Sequence, residues 1–499
     1  MPAFPLRSIV VVGGGTTGWL AAATLAHVLG SSCPVRLVSL PGEPADAGAV
    51  VSVPSLHRLL RLLKIDETAL MRATDATYRL GAMFRDWAAI GDAYFNGFGT
   101  FGARLDAVPF QHHWLRLRAA GDCPPFEDFS MAAQAARLDR FAVPETDPRS
   151  LLSLYSYAWH FDSRLLARYL REYACKAGVT EIAGNIAAVT LDSANGSIQD
   201  VVLDDGHRVD GDLFIDCSGA RSVLGSGLGV VSDDWSTWLP CDRMQTLRCA
   251  SDERLPPYSE TVADAAGWRS RIPLQHSTLH GRIYCSEFVD DSQIEAGLLA
   301  DVKPLTGESP RLQRLNAGRP KEFWVRNCVL LPGDTLDPLG GTSLHLVQTG
   351  ITRLLAHFPV LRSSPTDAAE YNRLTAEEYD RLRDLLVLHY HATTRTDSPF
   401  WNRCRAMSVP ESLARKLALF TDSGRITVAE EEHCGVDGWL AALTGQRICP
   451  RSYDPLVEAV PLAAAQRALS GMAAEMRARA AKLPLHRDFI ALRGAGAPA

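Results

Sequence analysis

Residues 9–18 read IVVVGGGTTG, so a glycine-rich turn of GxGxxG spacing directly follows a short apolar strand. A helix over 19–29 and a second strand over 35–39 follow. In such a turn the first glycine permits a sharp bend, the second lets the backbone approach a pyrophosphate, and the third lets helix and strand pack closely. The alternative is a glycine-rich turn without a ligand. The stretch predicts a βαβ dinucleotide-binding unit with these candidate contacts: Gly13, Gly15, Thr16, Thr17 and Gly18.

The end of the second strand departs from the usual dinucleotide pattern. An Asp or Glu normally stands there and binds the ribose hydroxyls, but this chain has Ser39. A serine hydroxyl cannot hold two hydroxyls as a carboxylate can. Glu43 follows shortly and is a candidate substitute. We therefore predict a cofactor site that is present in outline and weakened in one contact.

Two later segments favour FAD over NAD as the cofactor. Asp216 ends a buried strand within the segment DCSGA, and Gly333-Asp334 follows another strand late in the chain. A late Gly-Asp pair in flavin monooxygenases places a carboxylate beside the ribityl or pyrophosphate region. A simple turn aspartate is an equally good interpretation of Asp334. Gly341, in the glycine-rich turn after it, is a further candidate contact.

The remaining pattern predicts a mixed α/β chain. Leucines on one face predict a helix over 54–71. Asp162-Ser163 is typical of an N-cap, and Gly178 of a C-terminal stop, for a helix ending near Lys176. The other predicted elements are a β-hairpin over 198–218 centred on Asp205-Gly206, a strand over 328–331 and a long alanine-rich helix over 462–482.

Composition excludes several functional classes. The chain has 499 residues, 46% hydrophobic and 22% charged, with 51 basic against 57 acidic side chains. This mildly acidic balance argues against nucleic-acid binding, and no apolar run suits a membrane span. The eleven cysteines are scattered. Without a signal-peptide pattern they predict reduced thiols in a cytoplasmic protein.

Longer segments give a specific resemblance. The chain resembles the flavin-dependent tryptophan or indole halogenases over about residues 8–490. The matching segments are GGGTTGWLAA (13–22), PSLHRLLRLL (54–63), TDATYRLGAMFRDW (74–87), YAWHFDSRLLARYLREYA (157–174), DLFIDCSG (212–219), WLPCDR (238–243), AGWRSRIPLQH (266–276), TSLHL (342–346), EYNRLTAEEYDRLRDLLVLHYH (370–391) and SPFW (398–401).

The resemblance implies the Rossmann-like FAD-binding fold of flavin monooxygenases, with β-sheet insertions and a mainly helical C-terminal module. We expect an FAD module over 1–350, with substrate-facing insertions near 80–210 and 230–320, and a helical module over 351–499. In the family, reduced FAD from a separate flavin reductase reacts with oxygen and halide to give hypohalous acid. The acid travels through a tunnel to a lysine, which delivers the halogen to an aromatic substrate beside a glutamate.

This chain departs from the family at both reacting side chains. Arg79 occupies the lysine position in ATYRLG, and Gly340 occupies the glutamate position in DPLGGTSLHL. A guanidinium stays protonated and is a poor nucleophile, so we favour a structural role for Arg79. Gly340 offers no group to accept a proton. The flavin-side strap GEATxP is also lost at 49–54, and Ser270 replaces the second tryptophan of WxWxIP.

Three interpretations follow. The first is a halogenase of impaired or altered activity on an indole-type or other aromatic compound. The second is a catalytically silent homologue that binds flavin or an aromatic ligand, or serves as partner subunit of an intact halogenase. The third is an FAD-dependent aromatic hydroxylase. The residues lean slightly to the second. Neither His112-His113 nor His389 and His391 has the spacing of a metal site, and most tryptophans fit a core role better than a pocket role: Trp87, Trp114, Trp159 and Trp401.

Overall fold

The structure is a computed structural model that describes residues 6–40, 48–121, 123–251, 253–333, 341–359, 365–429, 432 and 434–494. Its strands are β1 (Ile9–Val12), β2 (Val35–Ser39), β3 (Ala49–Val51), β4 (Thr77–Arg79), β5 (Gly81–Arg85), β6 (Ala93–Gly97), β7 (Ala158–Asp162), β8 (Thr180–Ala183), β9 (Ile186–Leu191), β10 (Ile198–Leu203), β11 (Arg208–Asp210), β12 (Leu213–Asp216), β13 (Ser232–Asp234), β14 (Arg243–Ala250), β15 (Ser259–Asp264), β16 (Gly267–Pro273), β17 (Ser277–Tyr284), β18 (Arg311–Arg314), β19 (Gly318–Pro320), β20 (Trp324–Val325) and β21 (Cys328–Leu330).

Its α-helices are α1 (Thr16–Leu29), α2 (Leu56–Leu62), α3 (Glu67–Ala73), α4 (Phe110–Ala119), α5 (Met131–Arg137), α6 (Ser163–Lys176), α7 (Val223–Gly227), α8 (Asp291–Asp301), α9 (Thr342–Ala356), α10 (Pro365–His391), α11 (Pro399–Ala406), α12 (Glu411–Ser423), α13 (Val436–Gly445), α14 (Leu462–Ala480) and α15 (His486–Leu492). Every regular element described after residue 341 is helical, as the C-terminal pattern predicts.

A parallel sheet of strand order β20-β21-β12-β1-β2-β8 forms the base of the fold, with β20 as an antiparallel edge. Strand β1 pairs in parallel with β2 and β12 and is fully buried, which explains why its sequence is a continuous apolar run. Parallel neighbours bring their carboxyl ends to one edge. The glycine turn, Ser39 and Asp216 therefore lie along the same edge of the sheet, as the βαβ prediction requires.

Two further sheets, one small and one large, form the region around Arg79. The small sheet has the order β3-β7-β4, and the large one β18-β14-β17-β16-β15-β5-β6. Strand β4 is followed at once by β5, so the chain crosses from the small sheet to the large one at Leu80. This crossing sets Arg79 at the boundary between the two sheets.

Most of the predicted elements are confirmed. Helix α6 begins at the Asp162 cap, whose carboxylate accepts the N–H of Leu165 at 3.0 Å. The hairpin turns at Gly206 (φ +83°), and α14 ends two residues before the predicted position. Helix α1 begins at Thr16 rather than residue 19, because the last three residues of the glycine-rich motif, residues 16–18, already form the start of the helix.

The stretch predicted as helical over 54–71 is helical, but it is not one continuous helix. Two short helices, α2 and α3, replace it, with a break at residues 63–66. Lys64 adopts φ +54°, which ends α2. Asp66 then caps α3 by accepting the N–H of Ala69 at 2.8 Å. The continuous leucine pattern conceals this break because both helices bury leucines against the same core.

The part of the chain that the structure describes contains no helix long and apolar enough to cross a bilayer. All eleven cysteines lie within it, and each is free rather than disulfide-bonded.

His389 in α10 offers a test of the packed core. It is fully buried, its Nδ1 donates to the carbonyl of Leu385 at 2.8 Å, and its ring lies 4.9 Å from that of Phe84. Burial lowers the pKa of His389 from 6.5 to about 4. Between these pH values the unfolded chain binds a proton that the folded chain does not, so stability falls as the pH falls.

When the pH is lowered from 7.5 to 5, we expect the titration of His389 to decrease the free energy of unfolding by about 2 kcal/mol. Urea unfolding at the two pH values measures it. The control is His389→Asn, which keeps an N–H for Leu385 and lacks the titration, so its loss over the same range is smaller by that amount. Equal losses in both proteins would contradict the assignment.

Candidate functional site

The glycine turn has the geometry of a nucleotide cradle. Gly13 has φ +122°, and a Cβ there would lie 2.5 Å from the carbonyl oxygen of Cys217. A Cβ on Gly18 would lie 1.9 Å from the carbonyl oxygen of Gly13. Neither position can carry a side chain unless the backbone moves. The turn, helix α1 and strand β12 therefore pack at the close range that a dinucleotide fold needs.

Two helices begin near this cradle without a side-chain cap. The N-cap of α1 is Gly15 and that of α9 is Gly341, and neither can offer a capping oxygen. Gly333 brings the two regions together, because a Cβ on it would lie 3.3 Å from Thr17 Oγ1 and 3.6 Å from Val347 in α9. Glycine-capped helix starts of this kind suit an anion such as a diphosphate. The residues present therefore fit a flavin dinucleotide.

Asp216 has a different setting from the one the sequence suggests. It is buried, and its carboxylate accepts the N–H groups of Ser218, Leu224 and Gly225 at 2.8–3.0 Å, as well as the Ser218 hydroxyl. These bonds fix the segment after β12 and the start of α7. A contact between Asp216 and the cofactor stays a prediction.

Ser39 ends β2 as predicted and accepts the N–H of Gly184 through its carbonyl. The predicted substitute Glu43 lies outside the described residues, and so do Asp334 and the glutamate position Gly340. Their roles stay predictions.

Arg79 lies in the interior, only 2% exposed, at the end of β4. Its Nη1 donates to the carbonyl of Ser52 at 2.8 Å, and its Nε donates to Ser259 Oγ at 3.3 Å. The guanidinium carbon lies 4.9 Å from the centre of the Phe98 ring. The guanidinium thus holds the segment after β3 against the large sheet and an aromatic ring.

The segment Ser52-Val53, to which the resemblance assigns the strap motif, lies between Arg79 and Gly341. Ser52 is tied to β7 by three hydrogen bonds with the backbone of Trp159 at 2.8–2.9 Å. A Cβ on Gly341 would lie 2.9 Å from Val53 Cγ1 and 3.1 Å from the Ser52 carbonyl. Arg79 and Gly341 therefore contact the same two-residue segment. Gly341 directly follows Gly340, which occupies the glutamate position. The sequence separates Arg79 from Gly341 by more than 250 positions, and the fold brings them together.

A second polar contact joins α9 to the chain after the strap. Ser55 Oγ lies 3.0 Å from His345 Nδ1, and His345 Nε2 lies 3.2 Å from Glu378 Oε1. Burial alone would raise the pKa of Glu378, but His345 and Arg353 outweigh it and lower the pKa. Sequence reasoning did not select this group. The signal that could have selected it is that Ser55 and His345 each lie within a segment matching the family, PSLHRLLRLL and TSLHL.

The four tryptophans singled out in the sequence are all buried in the core. Trp87, Trp159 and Trp401 are at most 1% exposed and pack among other rings. Trp114 is also buried in this core, at 4% exposed, and in addition it helps line a cavity of about 340 Å³ between α4, β6 and α13, with Phe101 and Phe126 beside it. Arg79 is not among the residues that line this cavity. Among the described residues no group of three or more His, Cys, Asp or Glu side chains is arranged to hold a metal ion.

Comparison with known proteins agrees with this geometry. The family model for tryptophan halogenase matches residues 8–462. Tryptophan 7-halogenase KtzQ from Kutzneria sp. (strain 744) is 32% identical over 83% of this chain and 81% of its own length.

Two solved structures are similar over 98% of this chain. Xcc4156, a flavin-dependent halogenase from Xanthomonas campestris, is 37% identical with a TM-score of 0.93 over 98% of its own length. BrvH, a flavin-dependent halogenase from Brevundimonas sp. BAL3, is 36% identical with a TM-score of 0.92 over 99% of its own length. These similarities favour neither the silent-homologue nor the hydroxylase interpretation. The chain belongs to the tryptophan halogenase family and has the FAD-binding fold of flavin-dependent halogenases.

Proposed function

We propose that this protein binds FAD and halogenates a small aromatic, indole-type substrate without forming a haloamine, at a rate well below that of a lysine-bearing site. The observation that carries the proposal is the setting of Arg79. Its guanidinium binds the Ser52 carbonyl and Ser259 and packs against Phe98, so it acts as a fixed hydrogen-bond donor. A guanidinium remains protonated in proteins and offers no nucleophilic lone pair.

Flavin-dependent halogenases use FAD, which a separate reductase supplies in reduced form, and they act on aromatic substrates. When bound, reduced FAD supplies hypohalous acid from oxygen and halide. In this chain Gly13, Gly18 and Gly333 would shape the cradle for its diphosphate. Arg79 would then orient the oxidant by hydrogen bonding while the strap segment shields it from water.

The test uses the purified protein with FAD, a flavin reductase, NADH, bromide and either indole or tryptophan, with product detected by mass spectrometry. We expect slow, FAD-dependent formation of a brominated aromatic. Absence of product from a protein that binds FAD would overturn the proposed activity and leave a flavin-binding homologue. Hydroxylated product would overturn it in favour of a hydroxylase.

Ser39 provides a separate test of cofactor affinity. We propose that FAD binding is weakened by the missing carboxylate at the end of β2. Ser39→Glu is then expected to lower the Kd for FAD about tenfold or more, since a hydrogen bond to a charged group contributes roughly 1.5–3 kcal/mol. Fluorescence titration of oxidised FAD measures it. Ser39→Gln, similar in size and uncharged, is the control, and equal affinities of the serine and glutamate proteins would refute the weakened contact.

A further inference from the structure

His160 is a buried side chain next to Arg79 that the proposed function does not use. In the small sheet it pairs with Thr77 across β4, and Arg79 is two residues farther along the same strand. Because side chains alternate along a strand, Thr77, Arg79 and His160 share one face of this sheet. Diagonal neighbours on one face lie within reach of long side chains.

The hydrogen bonds of Thr77 decide which nitrogen of His160 carries the proton. Thr77 Oγ1 lies 2.7 Å from the carbonyl of Pro273 and 2.9 Å from His160 Nδ1. A carbonyl only accepts, so the single hydroxyl hydrogen of Thr77 goes to Pro273. His160 Nδ1 must therefore donate its hydrogen to Thr77, and the lone pair of the ring lies on Nε2.

That lone pair has no hydrogen-bond partner in the described part of the chain, although Nε2 is buried. A buried polar atom left without a partner is costly and needs an explanation. Burial lowers the pKa of His160 well below its usual value, and the nearby charge of Arg79 lowers it further. His160 thus stays neutral near pH 7, with a proton-accepting nitrogen near the guanidinium of Arg79, which donates hydrogen bonds and keeps its proton.

Other ionisable groups near this face are already engaged. Asp162, on the same face of β7, pairs with Arg248 at 2.7 Å. His486 accepts the N–H of Tyr78 and contacts the carbonyl of Leu255, so both its nitrogens are used. His160 is therefore the proton acceptor with spare capacity among these neighbours of Arg79.

We propose that His160 is the catalytic base of this site and takes over the proton transfer for which Gly340 has no side chain; the proposal rests on the proposed function. The aromatic ring attacks the halogen of hypohalous acid, so a carbon–halogen bond forms while the oxygen–halogen bond breaks and hydroxide leaves. Nε2 accepts the ring proton, and the C–H electron pair restores the aromatic ring. The imidazolium then returns the proton to hydroxide, giving water and neutral His160.

The first experiment tests the tautomer and needs no turnover. Nitrogen NMR of protein labelled in histidine is expected to show His160 protonated on Nδ1 only from pH 6 to 8, with its signal assigned by loss in His160→Asn. In Thr77→Val the Nδ1 hydrogen loses its acceptor, and this signal is expected to change. A proton on Nε2, or a titration within that range, would overturn the proposal.

The second experiment tests the chemical role of His160. Bromination of indole deuterated at C3 is measured with and without His160→Asn, in the native protein and in Arg79→Lys. His160→Asn keeps an N–H for Thr77 and removes Nε2. We expect His160→Asn to brominate indole about 100-fold more slowly than the protein with His160, because removal of the ring proton becomes slow. A primary isotope effect should then appear in His160→Asn and be absent from the protein with His160. A merely structural loss would lower the rate without creating an isotope effect, and that result would overturn the proposal.

His389→Asn is the matched control. His389 is also fully buried, bonds through Nδ1 and has an Nε2 without a partner among the described residues, but its ring neighbours are Phe84 and Trp87 rather than an arginine. Its substitution should create no isotope effect. If the native protein binds FAD but does not brominate indole, the proposed function fails, whatever Arg79→Lys does. If the native protein brominates indole and His160→Asn matches its rate, only the role of His160 fails.

Discussion

Halogenation by the double variant Arg79→Lys/Gly340→Glu is expected to be at least about 100-fold faster than by the native protein. A lysine in a dry site can lose its proton and accept the halogen, which a guanidinium cannot, and a glutamate at position 340 can polarise the oxidant. Positioned groups of this kind commonly contribute a factor of about 100 to 10,000. The shorter lysine also gives up the bonds of Arg79 to Ser52 and Ser259. The gain therefore depends on a strap that stays in place through its own bonds to Trp159.

The two single variants are the controls for this prediction. Residues that act as a unit are strongly non-additive, so Arg79→Lys alone and Gly340→Glu alone should each gain much less than the pair. Rates of indole bromination under saturating reduced FAD measure the effect, with the FAD Kd determined for each protein. If the double variant binds FAD as well as the native protein and remains equally slow, loss of these two groups is not what limits the rate.

Gly18→Ala is expected to abolish FAD binding at concentrations where the native protein is saturated, a loss of more than about 100-fold in affinity. The added Cβ would lie 1.9 Å from the carbonyl oxygen of Gly13 and 2.9 Å from its carbon. Backbone atoms cannot yield as a flexible side-chain end can. Helix α1 must therefore move away from β1, and the turn that approaches the diphosphate opens.

The matched control is Gly471→Ala in α14. A Cβ there meets nothing within 4 Å, and alanine is favoured over glycine in a helix by about 1 kcal/mol. This variant should bind FAD normally and unfold at a slightly higher temperature, whereas Gly18→Ala unfolds at a lower one. Flavin fluorescence titration and thermal unfolding measure both. Normal FAD affinity in Gly18→Ala would show that the turn does not hold the cofactor.

Elements with a local cause were predictable from sequence. The cap of α6 depends on Asp162 and a backbone N–H three residues later, and the hairpin depends on a turn at Gly206. The break between α2 and α3 was not predictable from leucine spacing. It depends on Lys64 in a left-handed conformation, which ordinary side chains adopt only where the surrounding chain holds them there.

The amino-acid sequence by itself determined the glycine turn, the family and the two substituted positions, because each is a property of a short stretch of residues. Only the tertiary structure decided what those positions do. Arg79 binds Ser52 and Ser259, and the Thr77 hydroxyl that sets the proton of His160 is held by Pro273, 196 residues away. Hydrogen-bond partners so distant in the chain are fixed by the packing of two sheets, and no local pattern of residues specifies them.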